Sequence, residues 1–150
     1  KMIKKRIKRN SIIGDIMQED IITIHKKSSI VQAARKMKKH KIGSIVVKDN
    51  GKIEGILTER DFVNKLCAKG LDPNKEIVKN LMTKNLKKIK FNQRLVEAAE
   101  VMDKNKIRRL LVEKEGEVIG IITIEDINRK RYLDHARKLN NLLILFRNKK

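Results

Sequence analysis

The sequence predicts an α+β protein made of two copies of one β-α-β-β-α unit, and three observations predict it. First, shifting the chain by 65 residues aligns it with itself: Met17 meets Met82, Ile24 meets Ile89, Gly51 meets Gly116, Thr58 meets Thr123 and Asp61 meets Asp126. The 51 ungapped pairs from Gly14/Lys79 to Asn64/Arg129 hold 15 identities, which marks an internal repeat. Second, each copy has a stretch with helical apolar spacing: Ile30, Ala33, Ala34 and Met37 in one, Leu95, Ala98, Ala99 and Met102 in the other. Third, each copy follows that stretch with two short β-type runs joined at a glycine turn.

The elements follow in the same order in both copies. A short strand is expected at 21–24 ("IITI") and at 86–89 ("LKKI"). A helix follows from about Ser29 to Lys39, started by Ser28 or Ser29, and its counterpart starts at Asn92. The first hairpin turns at Asn50-Gly51, a strong signal, whereas the partner turn "KEGE" is weaker and keeps only Gly116. A second helix starts at a Thr-x-x-Asp motif, Thr58 to Asp61 and Thr123 to Asp126. One such unit is too small to bury its apolar faces alone, so the two copies are expected to pack together. The boundaries read as a basic arm at 1–13, repeat 1 at 14–69, a connector at 70–78 with Gly70 and Pro73, repeat 2 at 79–129 and a basic helix at 130–150. In that last segment Tyr132, Ala136, Leu139, Leu143 and Phe146 alternate spacings of four and three, which suits either packing on the body or a short coiled coil.

Composition narrows the function. Charged residues make up 37% and aromatics only 3%, so the core must rest on Ile, Leu, Val, Ala and Met. The single Cys67 excludes an intramolecular disulfide and suits a reducing, cytoplasmic setting. The longest strongly apolar run, "LLILF" at 142–146, is far below the ~20 residues of a membrane span. The basic start has neither a long apolar stretch nor a small-residue cleavage site, so no secretory signal is expected. The net charge of +20 allows two readings, plain solubility or an anionic partner such as nucleic acid, a membrane or a phosphorylated ligand. It is concentrated at the ends: residues 1–13 hold six Lys or Arg and no acid, and residues 129–150 hold eight against Asp134 alone. Nothing catalytic stands out: His25, His40 and His135 are scattered, no metal-ligand spacing surrounds Cys67, and the phosphate-loop, dinucleotide and nucleophile-elbow patterns are absent. The chain is therefore expected to bind rather than catalyse, with no metal and no required cofactor.

The twice-written motif allows two readings. Thr-x-x-Asp at a helix start is a capping box, in which Asp reaches back to a free backbone N–H. The same place, where a strand runs into a helix, also favours an anion, and an Asp there can accept both hydroxyls of a ribose. "IGDIM" ahead of the first strand, "NKIRRLLV" (Asn105 to Val112), "GILTERD" and "GIITIED" together resemble the CBS-domain pair, or Bateman module, over residues 14–129.

The resemblance implies two repeats related by a pseudo-twofold axis, with clefts that bind adenosine compounds: AMP, ADP, ATP, S-adenosylmethionine or an NAD-type ligand. It puts the ribose carboxylate on Asp61 and Asp126, the accompanying hydroxyl on Thr58 and Thr123, and an aliphatic contact on Ile56 and Ile121. The adenine pocket falls on Asp20, Ile21, Ile22 and Thr23 and on Asn85, Leu86, Lys87 and Lys88. Arg108 and Arg109 match phosphate-binding positions, where repeat 1 has Gly43 and Ser44 instead. Arg60 lies inside the first motif, where repeat 2 has Glu125. Arg108 and Arg109 are expected to serve the ligand on Asp61, making that site the tighter one. Homodimers are common in such proteins and are expected here. The alternative reading is a nucleic-acid-binding protein that uses its basic ends, with the pair as scaffold or switch.

Overall fold

The computed structural model describes residues 11–84 and 86–147, apart from the side chains of 142, 143 and 145–147. The basic arm expected at 1–13 thus falls almost wholly outside the described residues, as does Asn85. The α+β repeat is present twice, in two compact units: residues 20–86 form one, and residues 87–150 together with 1–19 form the other. The boundaries at 14–69 and 79–129 bound the repeat in sequence, not the folded units. The 70–78 connector belongs to the first-repeat unit, and the residues ahead of repeat 1 belong to the second-repeat unit.

In the first-repeat unit β1 (Thr23–His25) leads into α1 (Ile30–His40), followed by β2 (Ser44–Asp49), β3 (Lys52–Thr58) and α2 (Glu59–Asp61), which runs on as a wider helix through Phe62–Cys67. The short helix α3 (Val78–Leu81) closes the unit. The sheet order is β1-β2-β3, with β1 parallel to β2 and β2 antiparallel to β3. Ser29 caps α1: its hydroxyl accepts the Gln32 N–H at 3.1 Å and the Gln32 side chain accepts the Ser29 N–H at 2.9 Å. The apolar face of α1 (Ile30, Ala33, Met37) meets Ile24, Ile45, Val47 and Leu57 from the sheet and Leu66, Val78, Leu81 and Met82 from the helices.

The second-repeat unit repeats this with β4 (Lys88–Lys90), α4 (Leu95–Lys104), β5 (Arg109–Lys114), β6 (Glu117–Thr123) and α5 (Ile124–Arg147). Its core joins Ile89, Ala98, Met102, Leu110, Val112, Ile122 and Ile127 to Ile13. Both strands β1 and β4 begin two residues later than the apolar runs suggested. Helix α4 starts after Arg94, not at Asn92, because the Glu97 carboxylate takes the Arg94 N–H at 2.6 Å. The second helix of repeat 2 and the C-terminal helix, expected separately, are one continuous helix.

The two hairpins are closer in geometry than their sequences. Asn50 and Gly51 have φ of 47° and 77°, and Glu115 and Gly116 have φ of 51° and 83°, so both turns need left-handed backbone at both central residues. Past each turn the strand register shifts once, between Val47 and Lys48 and between Val112 and Glu113. These bulges leave Gly55 opposite Val47 and Gly120 opposite Val112.

Each glycine lies under a strand-like segment from outside the repeat. In the first-repeat unit Thr83 donates to the Ile56 carbonyl at 2.8 Å and accepts the Ile56 N–H at 3.0 Å. In the other, Gln18 does the same with Ile121 at 2.9 and 3.0 Å. A side chain on either glycine would collide with the methionine that precedes the bridging residue, Met82 or Met17.

One charged cluster has no counterpart in repeat 2. Asp49 meets Lys26 Nζ and, at 3.0 Å, His25 Nε2, and Lys26 also reaches Glu54 at 3.1 Å. The hydrogen bond from Lys26 holds the Asp49 carboxyl below its ordinary pKa against the opposing effect of burial, and the bonds to Asp49 and Glu54 raise Lys26. A depressed carboxyl contributes stability above its unfolded pKa and loses it as pH falls through the lowered value. The raised lysine contributes in full below its ordinary pKa and loses that share as pH rises through the raised value. Asp49→Asn is therefore expected to lower the thermal midpoint at neutral pH, with the gap to wild type closing below the ordinary carboxylate range. Equal deficits at neutral and strongly acid pH would show that the ionised pair contributes nothing.

Candidate ligand-binding site

Each unit places a nearly buried carboxylate where a sheet strand passes into a helix. Thr58 ends β3 in extended conformation and Asp61 sits in the first turn of α2, 5% exposed. Asp61 Oδ2 accepts the Thr58 N–H at 2.8 Å and the Thr58 hydroxyl at 3.0 Å. In the second unit Asp126, also 5% exposed, accepts the Thr123 N–H at 3.0 Å and its hydroxyl at 2.8 Å on Oδ2. The Asp126 N–H is 3.2 Å from Thr123 Oγ1, completing the reciprocal cap. The capping reading of the motif is thus correct for one oxygen of each carboxylate.

The other oxygen meets further donors, one on the helix that the motif starts and one from the segment that bridges to the neighbouring strand. Asp61 Oδ1 lies 2.8 Å from Lys65 Nζ and accepts the Thr83 hydroxyl at 3.3 Å. Lys65 also donates to the Leu81 carbonyl at 2.8 Å and to Thr83 Oγ1 at 3.1 Å, so one ammonium ties α2 to the bridging segment. The Gln18 side-chain amide donates to both oxygens of Asp126 at 3.1 Å, and Arg129 lies 3.3 Å from Oδ1. Gln18, Thr83 and Arg129 are exposed side chains and Lys65 is half-buried, so all four can give way to another donor. None of them was singled out from the sequence. The signal was there: Gln18 and Thr83 are 65 apart, each just after a methionine that aligns with the other.

The remaining predicted residues divide. Ile56 and Ile121 sit next to their glycines in β3 and β6 and carry the two bridges. Ser44 lies directly across from Thr58, and Arg109 directly across from Thr123. Gly43 and Arg108 hold equivalent places, their carbonyls accepting the N–H of the first helical residue, Glu59 at 3.1 Å and Ile124 at 2.8 Å. Arg108 is bound to Glu125, with Nε 3.2 Å from Oε1. Burial is the largest single influence and disfavours the Glu125 anion, but the Arg108 hydrogen bond and charge together with hydrogen bonds from its own backbone N–H and from Thr123 outweigh it and leave the Glu125 pKa below its ordinary value, while the bond to Glu125 raises Arg108. Arg60 is exposed. Of the expected adenine-pocket residues, Asp20, Lys87 and Lys88 are exposed, Ile21, Thr23 and Leu86 are half-buried, and Ile22 packs on the first-repeat core. Leu86 belongs to one unit and Lys87 and Lys88 to the other.

Among the described residues no three His, Cys, Asp or Glu side chains come together as a metal site, and no helix is long and apolar enough to cross a membrane. Cys67 is exposed as a free thiol.

Comparison with known proteins agrees with the fold. The CBS domain matches the chain at residues 13–68 and again at 78–132. An uncharacterised protein of Methanopyrus kandleri, MK0525, is 35% identical over 121 residues, which are 79% of this chain and 62% of that one, so the match spans less than two thirds of this relative. A signal-transduction protein with CBS domains from Burkholderia ambifaria superposes with a TM-score of 0.80 at 26% identity, over 83% of this chain and 96% of its own. The CBS domain pair of protein MJ0100, solved in complex with 5′-methylthioadenosine and S-adenosyl-L-methionine, superposes with a TM-score of 0.74 at 31% identity, over 83% and 98%.

Proposed function

Because the chain belongs to the CBS-domain family and carries its repeat twice, we propose that it is a non-catalytic sensor of an adenosine compound, bound through the two Thr-x-x-Asp motifs. One observation carries the reading. Each carboxylate uses Oδ2 in its helix start and also meets replaceable donors, Lys65 and Thr83 on Oδ1 of Asp61, Arg129 on Oδ1 and Gln18 on both oxygens of Asp126. A ribose diol offers two hydroxyl donors to such an oxygen and can take the place of an amide or an ammonium without leaving the anion bare. Mere capping does not require the second oxygen to face exposed, exchangeable groups. The adenosine ligands of the MJ0100 pair support the same class.

The test is calorimetric titration with AMP, ATP and S-adenosylmethionine at physiological salt, on wild type and on Asp61→Asn and Asp126→Asn. The amide keeps an oxygen for the cap but loses the charge that a diol recognises. At least one compound is expected to bind, and the Asn variant at its motif to weaken it by roughly tenfold or more, the worth of one charge-assisted hydrogen bond. Comparing the two variants ranks the motifs. Absence of heat and of any thermal stabilisation with all three compounds would leave the motifs as capping boxes only.

A further inference from the structure

Both repeats carry a lysine four residues after the motif aspartate: Lys65 follows Asp61 and Lys130 follows Asp126. Residues at that spacing are neighbours on a helix surface, so either ammonium can reach its own motif. The two behave differently. Lys65 turns back, its Nζ 2.8 Å from Asp61 Oδ1, and donates also to the Leu81 carbonyl at 2.8 Å and to Thr83 Oγ1 at 3.1 Å. These three acceptors match the three donors of an ammonium. Lys130 turns forward instead, to Asp134 at 3.0 Å. The sequence supplies the cause. The residue four further on is Asp134 in repeat 2 but Lys69 in repeat 1, which offers Lys65 no acid ahead of it. Asp126 is therefore met by the neutral Gln18 amide and by Arg129 on an exposed side chain, whereas Asp61 is met by an ammonium held at three points.

From this difference we propose that Lys65 is an internal competitor for the second oxygen of Asp61, and that it sets how much of an adenosine compound is needed to occupy that motif. The proposal rests on the diol-binding reading given above. A ribose diol arriving at Asp61 brings two neutral donors and displaces a cation, which gives up its other two bonds as it leaves. At Asp126 the same diol displaces an amide and a guanidinium whose side chain is already largely in water. Lys65 is half-buried, so water and salt screen its pair with Asp61, and the competition amounts to roughly fivefold in affinity rather than exclusion. Contact with a ligand phosphate is the other task for a lysine at such a place, but all three donors of Lys65 are already engaged within its own unit. Asp134 has the opposite effect at a distance: by holding Lys130 it keeps the second motif unguarded.

The test is calorimetric titration with adenosine, which has the diol and no phosphate, in an Asp126→Asn background where the heat reports the Asp61 motif. Lys65→Met is expected to tighten binding roughly fivefold. The analogue 2′,3′-dideoxyadenosine, which lacks the diol, is expected to gain nothing. Lys65→Gln keeps a donor for the Leu81 carbonyl and should also tighten binding, which covers the case in which Lys65→Met folds poorly. The converse is tested in an Asp61→Asn background. There Asp134→Asn releases Lys130 to turn back on Asp126, and adenosine binding should weaken by a similar factor and recover when Lys130→Met is added. A lysine that merely ties segments together predicts neither the gain nor the recovery. Unchanged adenosine binding in both Lys65 variants would overturn the proposal, leaving Lys65 a structural tie; weaker binding in both would overturn it in favour of a ligand contact. If neither wild type nor any variant bound adenosine, AMP, ATP or S-adenosylmethionine, the diol reading itself would fall and the proposal with it.

Discussion

Gly120→Val is expected to destabilise the protein by about 2–3 kcal/mol in urea unfolding, the upper part of the range for overpacking a tight contact. A Cβ at Gly120 would sit 2.8 Å from Met17 Sδ and 2.9 Å from the Gln18 carbonyl oxygen. The methionine can swing away; the backbone oxygen cannot, because Gln18 is held by two hydrogen bonds to Ile121. Valine is otherwise at home in a strand, and Gly120 does not have a positive φ, so the cost is one of space. Relief requires lifting residues 17–18 off β6, which also withdraws the Gln18 amide from Asp126. The same change at Gly55 meets Met82 Sδ at 2.8 Å and the Thr83 carbonyl at 3.0 Å and should cost nearly as much. A loss under about 0.5 kcal/mol, the level of an ordinary surface change, would mean that the bridging segment is not held where the structure puts it.

Asp61→Ala is expected to cost about 3 kcal/mol, from the lost cap and the groups left without an acceptor. The carboxylate serves the Thr58 N–H, the Thr58 hydroxyl, the Thr83 hydroxyl and the Lys65 ammonium at once. Lys65 is only half-buried, so water recovers part of its loss and the charge pair is discounted accordingly. Asp61→Asn should cost only about 1 kcal/mol, because the amide oxygen can still accept the Thr58 N–H. The cost of Asp61→Asn measures the anion, and the difference between the two substitutions measures the cap. Equal costs would show that the charge, lost in both variants, carries the whole effect and that the cap contributes little.

How far the sequence discloses this arrangement can be followed through particular residues. Ile30, Ala33 and Met37 define α1 because helical spacing is local, and the same spacing defines α4. Gly51 and Gly116 define the hairpins because a left-handed turn position tolerates few other residues. The start of α4 is less legible: Asn92 is the better cap by residue type, but the cap that forms depends on where Glu97 can reach. The exchange of segments between the units is not legible at all. Met17-Gln18 and Met82-Thr83 are near equivalents, and each could bridge to either Gly-Ile pair, Gly55-Ile56 or Gly120-Ile121. Choosing between them is a matter of chain path, which no short pattern encodes. The outward oxygens of Asp61 and Asp126 share that obscurity, since their partners arrive on the exchanged segments. The boundary at 129/130 shows a third kind of miss: the change to a basic segment suggests a separate helix, but the backbone runs on unbroken from Ile124 to Arg147.

The exchange also orders events on the ribosome. The unit formed by residues 20–86 is continuous and can close as soon as its last residue leaves the exit tunnel. The other unit is discontinuous in sequence, so the segment carrying Ile13 and Gln18 must wait until β4 to β6 have been synthesised. During that interval Met17 and Gln18 are without their own acceptor while the near-identical edge at Gly55-Ile56 is already present. Residues 82–83 belong to the unit that can close first and occupy that edge in the folded protein, so the waiting segment at 17–18 meets it already paired once that unit has closed.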